Sequence, residues 1–189
     1  MFCHVAPRPR NAEATRAAIL AAALERFSRE SYDDVGMRDI AGDVGVDAAL
    51  VSRYFGSKEE LFTAVLDNCS NGKDLVDGER ADFGRRVARE VIFERKNEGK
   101  LKSLLIMLRS VGSAKAMDLI QRRGSEEFFD PFAAWIGGED AAVRARLAAA
   151  TIMGMAVSRE ITAGFGLTPP ECERMAERMG VILQDIIDN

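Results

Sequence analysis

The stretch Val35–Leu61, VGMRDIAGDVGVDAALVSRYFGSKEEL, decides how the rest of the chain is read. Met37, Ile40, Ala41 and Val44 recur at spacings of three, one and three, which marks one face of a short helix starting near Gly36. Gly45 follows the last periodic position, where a left-handed residue ends a helix without steric cost. Asp47 offers a side-chain cap to a second short helix, Ala48 to Phe55, with Leu50, Val51 and Tyr54 or Phe55 turned inward. Such a helix is about 12 Å long, which suits a major groove about 12 Å wide. Ser57-Lys58-Glu59-Glu60 then forms a capping box, opening a helix that continues through Leu61, Phe62, Val65 and Leu66. The pattern is a helix-turn-helix followed at once by a capped third helix.

Upstream, residues Met1 to Arg10 carry Pro7 and Pro9 between Arg8 and Arg10, which reads as a flexible, slightly basic arm. Asn11 is a plausible N-cap for a helix reaching about Ser28. Its apolar stripe is read as Ala14, Ala17, Ala18, Ala21, Leu24 and Phe27, with Arg16 outside it. Downstream, the turn-rich stretch from Asn68 to Gly78 marks the boundary between two parts. The expected division is an arm at 1–10, a helix-turn-helix domain at 11–67 and a larger helical domain at 68–189.

In that larger part, helical patterns run from Glu79 to Arg95 and from Lys100 to Val111. A region broken by Gly124 and Pro131 follows, from Ser113 to Ile136. Glu139 to Ala163 is a long helix with Val143, Leu147, Ala150, Gly154, Val157 and Ile161 at spacings of three or four. Thr168-Pro169-Pro170-Glu171 supplies a cap, an early proline and a capping-box glutamate for a last helix carrying Met175, Met179, Ile182 and Ile186. The fold class is all-α.

Hydrophobic content of 47% and charged content of 30% are ordinary for a soluble globular protein. The net charge of −4 gives no global basic signature. Up to Lys58 there are eight Lys/Arg and eight Asp/Glu, leaving 18 against 22 in the remainder. The three cysteines, Cys3, Cys69 and Cys172, fit neither a disulfide framework nor a zinc pattern. The only histidine is His4, and no glycine-rich phosphate loop or metal-ligand spacing is present, so neither an enzyme nor a cofactor is expected. With no signal peptide or membrane span legible, a cytoplasmic location is the expectation.

Several short matches in fixed order carry a resemblance. They are Leu24-Glu25-Arg26-Phe27, Met37-Arg38-Asp39-Ile40-Ala41, Gly45-Val46-Asp47, Val51-Ser52-Arg53-Tyr54-Phe55 and Ser57-Lys58-Glu59-Glu60-Leu61. Over roughly Thr15 to Leu66 the chain closely resembles the tetracycline-repressor-like (TetR) family of bacterial transcriptional regulators. The resemblance implies that Ala48–Phe55 is the recognition helix. Gly36 and Asp47 stand where members of the family often have Ser or Thr, and Ser52-Arg53 stands where an aromatic pair is common.

On that reading, Ala48, Ala49, Ser52 and Arg53 face away from the core. Arg53 matches the O6/N7 edge of guanine through its planar fork, or is a solvated surface arginine. Ser52 and Tyr54 can donate to phosphate or base edges, although Tyr54 also fits a core position with a wet hydroxyl. Lys58, in the first turn of a helix, suits a phosphate, or merely spaces the capping box. Arg38 is a second phosphate candidate, unless Asp39, Asp43 or Glu30 holds it.

The resemblance implies that the larger part binds a small effector and forms a homodimer through its last two helices. Leu147, Gly154, Val157, Ile161, Met175, Met179, Ile182 and Ile186 would form the interface. The alternative is an internal hairpin in a monomer. Phe93, Met107, Met117, Phe128, Phe132, Trp135 and Met153 are either plain core or the lining of an apolar pocket. The expected function is a ligand-responsive regulator, a repressor on palindromic double-stranded DNA. The rival is a helical protein-interaction scaffold without DNA-binding activity.

Overall fold

The computed structural model describes residues 9–69, 75–93 and 98–189, and their regular structure is all helical. The helices are α1 (Pro9–Arg29), α2 (Met37–Val44), α3 (Ala48–Phe55), α4 (Lys58–Cys69), α5 (Phe83–Phe93), α6 (Glu98–Ser110), α7 (Ala114–Gly124), α8 (Asp130–Ile136), α9 (Ala141–Ile161) and α10 (Pro169–Asp188). A 3₁₀ turn, Arg80–Asp82, precedes α5. The chain divides into two compact units: residues 1–69 with 98–123, and residues 70–97 with 124–189. This departs from the expected single boundary near residue 68, because α6 and α7 pack with the N-terminal helices. Of the expected arm at 1–10, residues 1–8 lie outside the described residues and Pro9 and Arg10 already belong to α1, so Asn11 lies inside that helix rather than capping it.

The core of the first unit includes Ile19, Ala23, Phe27, Ile40, Val51 and Phe62. Phe27 and Tyr32 each meet Phe62 edge-on at 4.9 Å between ring centroids. The buried stripe of α1 differs from the expected one. Ala14, Ala17, Ala18 and Ala21 are exposed, whereas Ile19, Ala23 and Phe27 are buried with Leu20 and Leu24 partly so. The larger side chains decide this, since burial is worth about 25 cal/mol per Å² of apolar surface and alanine offers little. One salt bridge ties α2 to α1, Arg26 Nε to Asp43 at 2.6 Å, while Arg26 Nη1 reaches Glu30, one turn further along, at 3.0 Å.

The second unit is organised around the crossing of α5 and α10. Phe83, Val87, Phe132, Ile136, Leu183 and Ile187 form its core. Gly84 lets the two backbones meet, since a Cβ there would collide with the Gly180 carbonyl oxygen and lie 2.7 Å from Gln184 N. Gly84 N–H donates to Gln184 Oε1 at 3.0 Å, which satisfies a first-turn amide of α5.

Residues 114–136, expected to be broken, form one helical run interrupted by a π segment, Ser125–Phe129. Pro131 has no N–H to donate, and its ring would crowd an α turn, so the wider π turn ahead of it supplies the room. By length and composition alone α9 is long and apolar enough to cross a membrane. Its buried Arg144 ties it instead into the second unit, donating to the carbonyls of Gly137 and Ile187.

Candidate nucleic-acid interface

Local caps hold the helix-turn-helix geometry. Gly36 N–H donates to Asp39 Oδ2 at 2.9 Å at the start of α2. Gly45, at φ +73°, closes it, with Gly45 N–H on Gly42 O at 3.2 Å and Val46 N–H on Ala41 O at 3.0 Å. Asp47 Oδ1 accepts Ala49 N–H at 2.7 Å, so its charge is committed to the start of α3. At the other end, Gly56 N–H donates to Ser52 O at 2.8 Å with φ +76°. Ser57 and Glu60 then cap α4 reciprocally, through Ser57 N–H to Glu60 Oε2 at 2.7 Å and Glu60 N–H to Ser57 Oγ at 3.2 Å.

These turns leave a small, polar outer face on α3. Ala49, Ser52 and Arg53 are exposed, while Val51 and Phe55 are buried. Ala48, expected to face outward, is half-buried against the core, because the first turn of α3 tucks under the end of α2. Tyr54 is also half-buried on the core, which leaves only its rim facing outward. Among the described residues no carboxylate pairs with Arg53 or Arg38, and both are exposed. The three acids named as alternative partners of Arg38 are engaged elsewhere: Asp43 and Glu30 with Arg26, and Asp39 with Gly36.

Lys58 is half-buried at the start of α4. Its Nζ lies 4.3 Å from the Tyr32 ring centroid and 3.5 Å from the Asp33 carbonyl oxygen. Burial lowers its pKa, with Lys115 adding to the effect and Asp33 and Asp34 opposing it. Arg16 was not singled out by the sequence. Its guanidinium sits 4.7 Å from the Phe55 ring centroid, at the end of α3, and no local pattern marks that long-range contact.

The residues read as an effector pocket do not form one group. Met107 and Met117 belong to the first unit. In the second, Phe93 and Met153 are exposed, with Arg89 over the Phe93 ring at 4.9 Å. Phe132 packs on Phe83, Phe128 and Trp135, and Phe83 on Trp135, at ring separations of 5.4–6.0 Å, so these rings lie against one another.

The residues read as a dimer interface divide by helix. On α9, Leu147 and Ile161 are 52% and 79% exposed, Gly154 is open and Val157 is half-buried. On α10, Ile182 is exposed, while Met175, Met179 and Ile186 rest partly on the unit's own core. Val181, which the sequence reading passed over, is 70% exposed beside Ile182.

Comparison with known proteins accords with this geometry. Residues 19–65 match the family of bacterial regulatory proteins called tetR, and residues 81–187 match the tetracyclin repressor-like C-terminal domain. The HTH-type transcriptional repressor Rv3405c of Mycobacterium tuberculosis is 42% identical over 60 residues, 32% of each chain. The match thus spans about a third of the length of that curated relative. A TetR-family regulator from Streptomyces coelicolor, SCO0857, is 26% identical, with 98% of this chain and 100% of that one covered at a TM-score of 0.57. NalD of Pseudomonas aeruginosa, a secondary repressor of the MexAB-OprM efflux pump, shares the fold at 20% identity, 90% and 95% coverage and a TM-score of 0.68.

The capped helix-turn-helix and the helical second unit together define a transcription factor rather than an enzyme. This chain belongs to the TetR family of bacterial regulatory proteins.

Proposed function

We propose that this chain acts in the cytoplasm as a repressor that binds a palindromic operator as a homodimer and lets go when a small apolar or aromatic effector binds. The observation that carries DNA reading is the outer face of α3, where exposed Arg53 stands among Ala49 and Ser52 with no carboxylate partner among the described residues. A free guanidinium on a short, capped helix is the group best suited to a bidentate contact with guanine. The apolar strip of α9 supports the dimer, since Leu147 and Ile161 lie exposed at helical spacing. A two-fold dimer sets its recognition helices on half-sites about 34–36 Å apart, which makes the operator palindromic.

For the effector, the support is the match of residues 81–187 to the tetracyclin repressor-like C-terminal domain, a stretch that holds the apolar rings of Phe83, Phe128, Phe132 and Trp135. Release follows if the effector prefers a conformer whose recognition helices no longer match the half-sites. Selection of bound duplexes from a random pool tests the reading. Recovery of an inverted repeat with half-sites one helical turn apart is expected, and a single asymmetric site would overturn the dimeric version.

A further inference from the structure

Lys58 does not stand free at the start of α4. Its ammonium rests on the Tyr32 ring and the Asp33 carbonyl, both part of the turn between α1 and α2 that Asp34 N–H closes on Ser31 O at 3.1 Å. A second element grips the same turn. Ser113, only 2% exposed at the start of α7, donates its hydroxyl to Asp33 Oδ1 at 3.0 Å and accepts Ala116 N–H at 3.4 Å. Two residues on, Lys115 pairs with Glu59, the neighbour of Lys58. The start of α7 therefore holds both the surface on which Lys58 lies and the helical turn from which it grows.

We infer that Asp33 and Ser113 are a positioning pair for Lys58, fixing the seat from which its ammonium meets a DNA phosphate; this rests on the DNA-binding reading above. A lysine carries a long, flexible stem, and fixing it at the moment of binding costs rotamer entropy. A seat that restrains the stem beforehand removes part of that cost. An ammonium has three donors, and the Asp33 carbonyl engages one of them, leaving others for phosphate oxygens. Asp33 touches no nucleic acid in this arrangement. Its carboxylate holds the turn, and the turn holds Lys58.

The negative charge of Asp33 also repels phosphate, so the test must separate charge from position. Asp33→Asn removes the charge but keeps an oxygen that can accept from Ser113, whereas Asp33→Ala removes both. Asp33 is exposed, and thermal melting checks that both full-length variants fold. The probe is a mixed-sequence DNA duplex at low salt, followed by fluorescence anisotropy. Asp33→Ala should bind about threefold more weakly than Asp33→Asn, the size of one partly exposed contact of this kind. In a Lys58→Ala background that ratio should fall to one. Equal affinities for the two variants, tighter binding by Asp33→Ala, or a ratio that survives without Lys58 would each overturn the inference. Wild-type protein with no salt-dependent affinity for any duplex would defeat the DNA-binding reading itself, and this inference with it.

Discussion

The outward faces of α3 and α9 are both left bare, and they are opposite in chemistry. On α3 the bare residues are small or polar, Ala49, Ser52 and Arg53, on a helix whose two ends are tied by local caps. On α9 they are Val143, Leu147, Ala150, Gly154 and Ile161, an apolar line on a helix whose other face is buried through Arg144, Ala145 and Ala148. A polar face costs nothing in water and can await a partner indefinitely. An apolar face of this extent is unfavourable until covered, at about 25 cal/mol per Å². The first is thus read as a surface that engages and releases, the second as one that stays covered.

The strongest way to break that contrast is to charge the apolar line. Leu147→Glu with Ile161→Glu should weaken self-association at least about a hundredfold, near 3 kcal/mol, because two carboxylates would be buried without partners. Analytical ultracentrifugation across a concentration series measures it. A double variant that associates as tightly as wild type would show that α9 is not the covered face. Next in size is Gly84→Ala, within the second unit. The collision with the Gly180 carbonyl should destabilise that unit by about 2–3 kcal/mol, in the range of overpacked cores. Urea denaturation should show it, while Gly154→Ala, whose added Cβ meets nothing within 4 Å, should shift the midpoint the other way, by the roughly 0.5–1 kcal/mol that a helix interior gains from alanine over glycine.

On the polar side, Arg53→Ala should cost about 1–3 kcal/mol in affinity for the selected duplex and relax the choice of base at one position of each half-site. Arg38→Ala should weaken all sequences alike and reduce the salt slope by about one. If Arg53→Ala binds every duplex as wild type does, it is a surface arginine and the text is read elsewhere on α3.

The same contrast explains what was legible beforehand. The caps that bound α2, α3 and the start of α4 act within a few residues: Asp39 on Gly36, Gly45 on Ala41 and Gly42, Asp47 on Ala49, and Ser57 with Glu60. Spacing alone therefore revealed Gly45, Asp47 and the Ser57–Glu60 box, while the Asp39 cap on Gly36 emerged only with the fold. The stripe on α1 was misplaced because its alanines are apolar on every side, and only the neighbours of Ile19 and Ala23 choose the face. The return of α6 and α7 to the first unit was hidden for a different reason. Its ties, Arg109 to Ser28, Ser113 to Asp33 and Arg123 to Asp67, join residues 81, 80 and 56 positions apart. The scattering of the expected pocket residues has the same origin, since aromatic and methionine content says nothing of which unit a side chain enters.

The smallest effect compares the units through a device they share. Glu60 caps α4 and Glu171 caps α10, each accepting hydrogen bonds from the residue three positions earlier. The Glu60 pKa is lowered by the Ser57 backbone N–H and then the Ser57 hydroxyl, that of Glu171 by the Thr168 hydroxyl and then its backbone N–H. A carboxylate whose folded pKa lies below its unfolded value stabilises the fold above the unfolded value, and that contribution disappears as pH falls through the folded one. Each cap should therefore weaken as pH drops below about 4.3, the ordinary glutamate value. Glu60→Gln and Glu171→Gln retain an acceptor oxygen but cannot titrate, so melting temperature should depend less steeply on pH in that acidic window for both variants. The two should differ in one respect. Only Glu60 neighbours the proposed phosphate contacts, so Glu60→Gln should also tighten binding to a mixed-sequence duplex at low salt, while Glu171→Gln leaves it unchanged. Equal shifts in DNA affinity for both variants would mean that net charge, rather than the place of Glu60 beside Lys58, governs the interaction.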